Sequence, residues 1–283
     1  MRFADPKNDV AFKKIFGDEN KTEVLISFLN SILDFKNGMK IKKVTIANPY
    51  QVPRIKDLKN TILDIKATNE NDQEFIVEMQ VEKDKNFAKR SLYYTSKSYV
   101  NQIDSGEKYP ELKKVYFIGI LDFAIFDTPD YISNHLILDT KTNTCELKDF
   151  EFTFIELKKF NLALNLCDTI AKKWIYFIQN ASSFDLIPKE YENIDEFQTA
   201  FNTAKIYNWN KDELEVYDYV CLNEGKKRSE IDTAREDGIE QGIEQGEQNK
   251  AIEIAKNSIS QGLDDKTIAM ITGLDISTIQ KLR

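Results

Sequence analysis

From Val115 to Phe126 the chain reads VYFIGILDFAIF, with Asp122 its one charged residue. A run this apolar and this short is the pattern of a strand buried on both faces, so it needs cover on each side. Helical patterns can supply that cover. Asp9–Leu33 (DVAFKKIFGDENKTEVLISFLNSIL) reads as two helical pieces. Phe12 and Phe16 share one face of the first, and Val24, Leu25, Phe28, Leu29 and Ile32 recur at helical spacing in the second. Gly17 separates them, and Asp18 or Asn20 is placed to cap the second. Phe87–Gln102 also has the period of a helix. Ile41–Ile46, Tyr131–Asp139 and Phe150–Leu157 have the composition of strands. After Asn165 the pattern is helical to the end, with Trp174, Phe177, Phe197, Phe201, Trp209 and Tyr217 as the expected core. This order predicts an α/β or α+β domain over residues 1–160, a helical extension over 161–224 packing on or beside it, and a tail over 225–283.

Composition narrows the function class. Apolar residues make up 41% of the 283 and aromatics 11%, enough to offset chain entropy, so the chain is not a disordered one. Cys145, Cys167 and Cys221 are widely spaced and share the sequence with a single histidine, His135, which argues against structural zinc and against a disulfide framework and fits a reducing cytosol. One histidine also leaves a histidine-based nucleophilic triad a single candidate base, with no serine motif beside it. No run of about 18 apolar residues occurs. The expectation is a cytoplasmic, soluble protein without a membrane span or an organic cofactor. The net charge of -8 is unevenly spread: residues 1–125 carry 21 Lys and Arg against 18 Asp and Glu, and the other 158 carry 18 against 29. A polyanion would sit on the front half, because phosphate neutralisation dominates non-specific affinity; an excess of this size is also common without any such role.

Thr61–Val81 (TILDIKATNENDQEFIVEMQV) reads as a hairpin, Ile62–Ala67 pairing with Glu74–Val81 around the polar turn Asn69–Gln73. Centring the turn on Asn71 sets Asp64 directly opposite Glu78. Alternation then puts Leu63, Ile65, Ala67, Phe75, Val77 and Met79 on one face, the core face, and Ile62, Asp64, Lys66, Ile76, Glu78 and Gln80 on the other. Like charges opposed on a sheet repel, their Cβ atoms about 4.5–5.5 Å apart. Two readings follow. A hard, oxygen-preferring cation such as Mg²⁺ lies between the acids, with Gln80 as a neutral acceptor, or the face is solvated and Lys66 screens it.

Residues 235–250 (REDGIEQGIEQGEQNK) space Gly238, Gly242 and Gly246 four apart, beside Ile239 and Ile243. Glycine costs about 1 kcal/mol in a helix interior, so the repeat is either a self-association seam or a flexible linker. The last stretch reads as two short helices capped at Asp264 and at Asp275 or Ser277 and joined at Gly273. It has the outline of a helix-turn-helix, with few basic residues for that role.

Several segments in order, DVAFKKIFG, LDI with EFIVEMQV, FAKRSLYYTSKSYVNQ, KKVYFIGILDF and FIELKKF, resemble the PD-(D/E)XK nucleases, and within them the Rpn-like recombination-promoting nuclease and transposase family. The likeness covers residues 5–160 well, and the Gly repeat with ITGLDISTIQKL is similar to the family's tail. The resemblance implies an α/β, restriction-endonuclease-like core with a mixed central sheet flanked by helices. It also implies a Mg²⁺-dependent DNA endonuclease, with Mn²⁺ able to substitute, associated with recombination or transposition. By position Asp64 and Glu78 would hold the metal. Gln80 stands where the wider superfamily has lysine, which removes a positive charge from the site and leaves Lys66 or a second metal to compensate. Asp9 is the candidate for an acid from the first helix, with Lys13 one turn later; Asp9 could equally serve only the helix dipole. Lys13, Lys66, Arg90 and Tyr94 are candidate DNA phosphate contacts, Arg90 equally a partner for a surface acid and Tyr94 a core residue in the other reading, and the tail implies a homodimer or higher homo-oligomer. The alternative expectation is a nuclease-fold protein of little or no activity that acts as a DNA-associated or partner-binding oligomeric module.

Overall fold

In the computed structural model, residues 2–33, 35, 40–51, 61–104, 106 and 108–283 are described. Two compact units result, Met1–Val220 and Cys221–Arg283. Residues 161–220 therefore fall inside the first.

That unit begins with helices α1 (Asp9–Phe16) and α2 (Thr22–Ile32). Strands β1 (Val44–Ala47), β2 (Tyr50–Gln51), β3 (Thr61–Ile62), β4 (Ile65–Asn69) and β5 (Glu74–Gln80) follow, then helix α3 (Phe87–Val100). Strands β6 (Val115–Leu121), β7 (Ile132–Ile137) and β8 (Leu147–Glu156) complete the sheet, and α4 (Ile170–Asn180) and α5 (Asp195–Ala204) come after it. Six strands form one mixed sheet in the order β1-β4-β5-β6-β8-β7, and β2 pairs with β3 apart from it. The central β5, β6 and β8 are parallel, with α3 as the crossover from β5 to β6. Antiparallel strands close both sides.

Every residue of β6 is buried, as its apolar run requires. Phe75, Val77, Tyr116, Ile118, Ile120 and Ile155 share a core cluster with Phe12, Phe28, Trp174, Phe197 and other residues of α1, α2, α4 and α5. Ile76, Phe117, Leu121, Phe152 and Phe154 alternate onto the other side and pack with Phe87 of α3. Gly119 permits that second packing. A Cβ there would lie 2.9 Å from the Phe87 ring and 3.0 Å from that of Phe154, so the absent side chain lets α3 settle against the sheet beside Glu78, the residue paired with Gly119.

Several details differ from the sequence expectation. The first hairpin strand starts at Ile65, because Thr61–Ile62 pairs with Tyr50–Gln51 and the chain bends at Asp64. The bend sends Leu63 into the α3-side cluster along with Ile76, so both hairpin faces contribute to the core. Neither Asp18 nor Asn20 caps α2, whose N-cap is Lys21 without a side-chain bond. Asp18 instead accepts from Asn20 N and pairs with Lys21.

In the remaining chain, α6 (Lys211–Ser260) runs as one helix through Gly238, Gly242 and Gly246, so those glycines are not a break. α7 (Asp265–Thr272) and α8 (Ile276–Leu282) are capped by the carboxylates of Asp264 and Asp275 and joined at Gly273, whose φ of 72° is left-handed. Ala255, Ile268 and Ile279 form the small core they share with the end of α6. Among the described residues, no helix is long and apolar enough to cross a membrane.

Candidate active site

The site is assembled by the β4–β5 hairpin. Asn69 Oδ1 accepts from the backbone N–H groups of Asn71 and Gln73, each at 3.0 Å, and Asp72 takes the left-handed conformation at φ 59°. The turn fixes the pairing Ile65 with Val77 and Lys66 with Ile76. One step further, where β4 gives way to the bend, the same register sets Asp64 against Glu78.

The two acids are tied reciprocally. Asp64 N donates to Glu78 Oε1 at 3.1 Å, and Met79 N donates to Asp64 Oδ2 at 2.8 Å. Side chains thus take over where the backbone ladder stops. The cost is electrostatic. Burial and then the Asp64 charge push the Glu78 carboxyl up to about 8. Burial pushes Asp64 up to about 6, against the Met79 N–H and Lys13, which favour its ionised form. Like charges brought together away from water are a recurrent mark of functional sites.

Helix α1 contributes the next pair. Asn8 caps it by accepting from Val10 N and Ala11 N, which leaves Asp9 in the first turn and Lys13 one turn on. Lys13 Nζ lies 2.7 Å from Asp9 Oδ1 and 3.4 Å from Asp64 Oδ1. Burial pulls the Lys13 ammonium down, but Asp9 and Asp64 outweigh it and hold it above its ordinary range. Asp9 thus occupies a dipole-favoured position and reaches the site as well.

From the other side, α3 supplies Arg90 and Tyr94. Arg90 Nη2 donates to Gln80 Oε1, and its Nη1 lies 3.1 Å from Asp84 Oδ2. Gln80 Nε2 donates to Glu82 O at 3.1 Å, so both ends of the amide are fixed. The guanidinium lies over the rings of Phe87 (4.9 Å) and Tyr94 (5.9 Å), and its buried Nε has no hydrogen-bond partner among the described residues. Its charge lowers the Glu78 pKa, while Tyr94 is raised by burial and then by Glu78.

Six of the eight sequence candidates therefore connect to Glu78 through the contacts just described: Asp9, Lys13, Asp64, Gln80, Arg90 and Tyr94. With Glu78 itself they make up the candidate site. Lys66 is the exception. Its Nζ is 3.2 Å from Glu74 Oε1, and Glu74 also accepts from the hydroxyl of buried Ser98, so Lys66 serves a separate buried cluster. Residues the sequence reading passed over are Asp84, which anchors Arg90, and Asp122, which pairs with Lys7 and Lys158. Asp122 and Lys158 lie within KKVYFIGILDF and FIELKKF; the charges were visible there, their partners were not.

Among the described residues, no group of three or more His, Cys, Asp and Glu is arranged to hold a metal. The donor set is two carboxylates, Asp64 and Glu78, with Asp9 drawn onto Lys13. An all-oxygen pair whose members resist joint ionisation fits a hard divalent cation, which Asp64 and Glu78 would hold.

A family model described as PD-(D/E)XK nuclease family transposase matches residues 6–234. No curated protein and no solved structure matches the chain. The matched span holds the whole mixed sheet, the flanking helices and all of the grouped side chains, a fold and a placement suited to a nuclease- or transposase-related role. The chain belongs to the PD-(D/E)XK nuclease family transposases.

Proposed function

We propose that this protein is a divalent-metal-dependent DNA endonuclease that hydrolyses phosphodiester bonds in recombination or transposition. The observation that carries the reading is the pair of half-buried Asp64 and buried Glu78, cross-tied at the end of the hairpin with cations on both flanks. Asp64 and Glu78 would hold the ion, Mg²⁺ by the hardness of the donors, with Mn²⁺ as a substitute. When bound, such an ion supplies positive charge for the scissile phosphate and acidity to the attacking water.

The chain's own groups do the rest. Lys13, already shared between Asp9 and Asp64, offsets charge on the phosphate. Gln80 orients the attacking water through its amide, which Arg90 and the Glu82 carbonyl hold in one orientation. Arg90 returns the positive charge that glutamine lacks at that position. Tyr94, half-buried beneath the guanidinium, limits where that charge can move and has its phenol available to a phosphate oxygen.

The test is nicking and linearisation of supercoiled plasmid by parent, Asp64→Ala and Glu78→Ala proteins with Mg²⁺, Mn²⁺ or EDTA at low salt. Cleavage by the parent with metal, absent in EDTA and in both variants, is the expected result. Undiminished cutting by Glu78→Ala would sink the reading.

One observation favours a second role for the tail. Cβ atoms added at Gly238, Gly242 and Gly246 would meet nothing within 4 Å, and Ile239 and Ile243 beside them are exposed. A second copy of the helix would offset the glycine cost, giving a homodimer or higher oligomer. Deleting residues 225–283 should then lower the mass seen in light scattering from oligomer to monomer; an unchanged mass would end the idea.

A further inference from the structure

The C-terminal ends of the parallel strands carry a second charged group. Gln80, Leu121 and Glu156 lie abreast in the register of β5, β6 and β8. Asp122 N donates to Gln80 O at 2.9 Å, which continues the ladder one step past the site. The Asp122 carboxylate, 13% exposed, gathers two lysines from distant parts of the chain. Lys7 Nζ, from the segment leading into α1, is 3.6 Å away, and Lys158 Nζ, from the turn after β8, is 3.4 Å away.

Three points argue for a ligand. Among the described residues the two ammoniums share one carboxylate, which leaves positive charge in excess. Both distances exceed the ordinary range of an N–H···O bond, so each ammonium keeps donors for another acceptor. The group also sits at the carboxyl ends of parallel strands, where open α/β sheets bind their ligands. Neighbouring cations differ. Lys159 is held by the fully buried Glu156 at 2.6 Å and by Phe126 O at 2.8 Å, and Arg90 is held by Gln80 and Asp84. Lys7 is two residues before Asp9, so one segment of chain serves both the acid pair and this group.

We propose that Lys7 and Lys158, gathered on Asp122, are a phosphate shelf that takes a backbone phosphate of the bound DNA strand flanking the one to be cut. The shelf rests on the cleavage reading above. It carries no base recognition, since ammoniums on a phosphate position the strand without reading it.

The experiment measures binding of a fluorescein-labelled duplex by anisotropy in EDTA, where binding is separated from cleavage, with full-length protein at salt from 50 to 200 mM. The parent is compared with the Lys7→Gln/Lys158→Gln and Lys7→Arg/Lys158→Arg proteins, and each protein is melted as well. Each lost phosphate contact should reduce the slope of log K against log salt by about 0.9, so the Gln pair, which removes the one phosphate contact of the shelf, should lose about 0.9 and the Arg pair should keep the parental slope. A Gln pair with the parental slope and a lowered Tm would overturn the shelf, because the lysines would then only hold the sheet edge together. Should the Gln pair melt below the assay temperature, each single variant answers the same question with a slope reduced by up to about 0.9. A parent that bound no duplex under any of these conditions would overturn the cleavage reading itself, and the shelf with it.

Discussion

Replacing Glu78 with Gln should stabilise the metal-free protein, and by an amount that depends on pH. Glu78 is 6% exposed, and its carboxyl is pushed from 4.5 to about 8 by burial and by Asp64. An acid whose folded pKa lies above its unfolded one binds its proton more tightly when folded. Its contribution is whole below the unfolded value and is lost as pH rises through the folded one. At about 1.36 kcal/mol per pKa unit, the full penalty above pH 8 is about 5 kcal/mol, an upper bound that belongs to the coupled Asp64–Glu78 pair rather than to either residue. A glutamine has no charge to bury, and its Oε1 can still accept from Asp64 N. A stabilisation of a few kcal/mol, below that bound, corresponds to a rise of several degrees or more in Tm for a unit of this size. The assay is thermal melting in EDTA at pH 5, 7 and 9. Parent and Glu78→Gln should melt nearly together at pH 5 and separate progressively by pH 9, the variant higher. Mg²⁺ at pH 8 should then raise the Tm of the parent and leave that of the variant in place, since an ion that binds the native state stabilises it. Parallel pH profiles for the two proteins would refute the reasoning, because the carboxylates would then carry no mutual penalty for a cation to relieve.

Arg90→Lys should lower kcat with a smaller change in KM, because one ammonium cannot hold Gln80 and Asp84 in the bidentate manner of a guanidinium; plasmid-cleavage kinetics with equal rates for both proteins would count against Arg90 as the cation of the site. Lys66→Met should cost about 3 kcal/mol or more in urea unfolding, since it leaves Glu74 buried without its cation, and the fraction that remains folded should cut DNA at the parental rate; a selective loss of cutting would return Lys66 to the site. Gly119→Ala should destabilise by about 1–3 kcal/mol, as its methyl meets the rings of Phe87 and Phe154, and a neutral effect on Tm would show that α3 is free to shift.

What could be read in the sequence depended on how far apart the interacting residues lie. The hairpin register follows from local chemistry, because Asn69 closes its own turn and alternation does the rest, so the sequence alone sets Asp64 and Glu78 opposite each other. The bend at Asp64 could not be foreseen, because it depends on Thr61–Ile62 finding a partner in Tyr50–Gln51. Alternation also gave the face of Lys66 correctly while leaving its partner open: a side chain on that face can lean either way along the strand, and this one goes to Glu74 and Ser98. The capping of α2 misled for a related reason, since Asp18 spends its carboxylate on the turn it belongs to. Lys7 and Asp122 are more than a hundred residues apart and carry no periodic signal at all.

Gln80 shows the same limit at the centre of the site. Read along the strand, a glutamine in the place of a lysine subtracts a positive charge, and the nearest cation on that face is Lys66. Read in space, the amide receives a guanidinium from α3, and that guanidinium is held by Asp84 on one side and the rings of Phe87 and Tyr94 on the other. Arginine suits this position better than a lysine would. Its planar fork holds the amide and the carboxylate together. The packing that permits this is Gly119, which lets Phe87 lie on the sheet and so seats α3 against it. The charge missing from residue 80 and the side chain missing from residue 119 thus answer to a single arrangement, the close seating of α3 on β5 and β6.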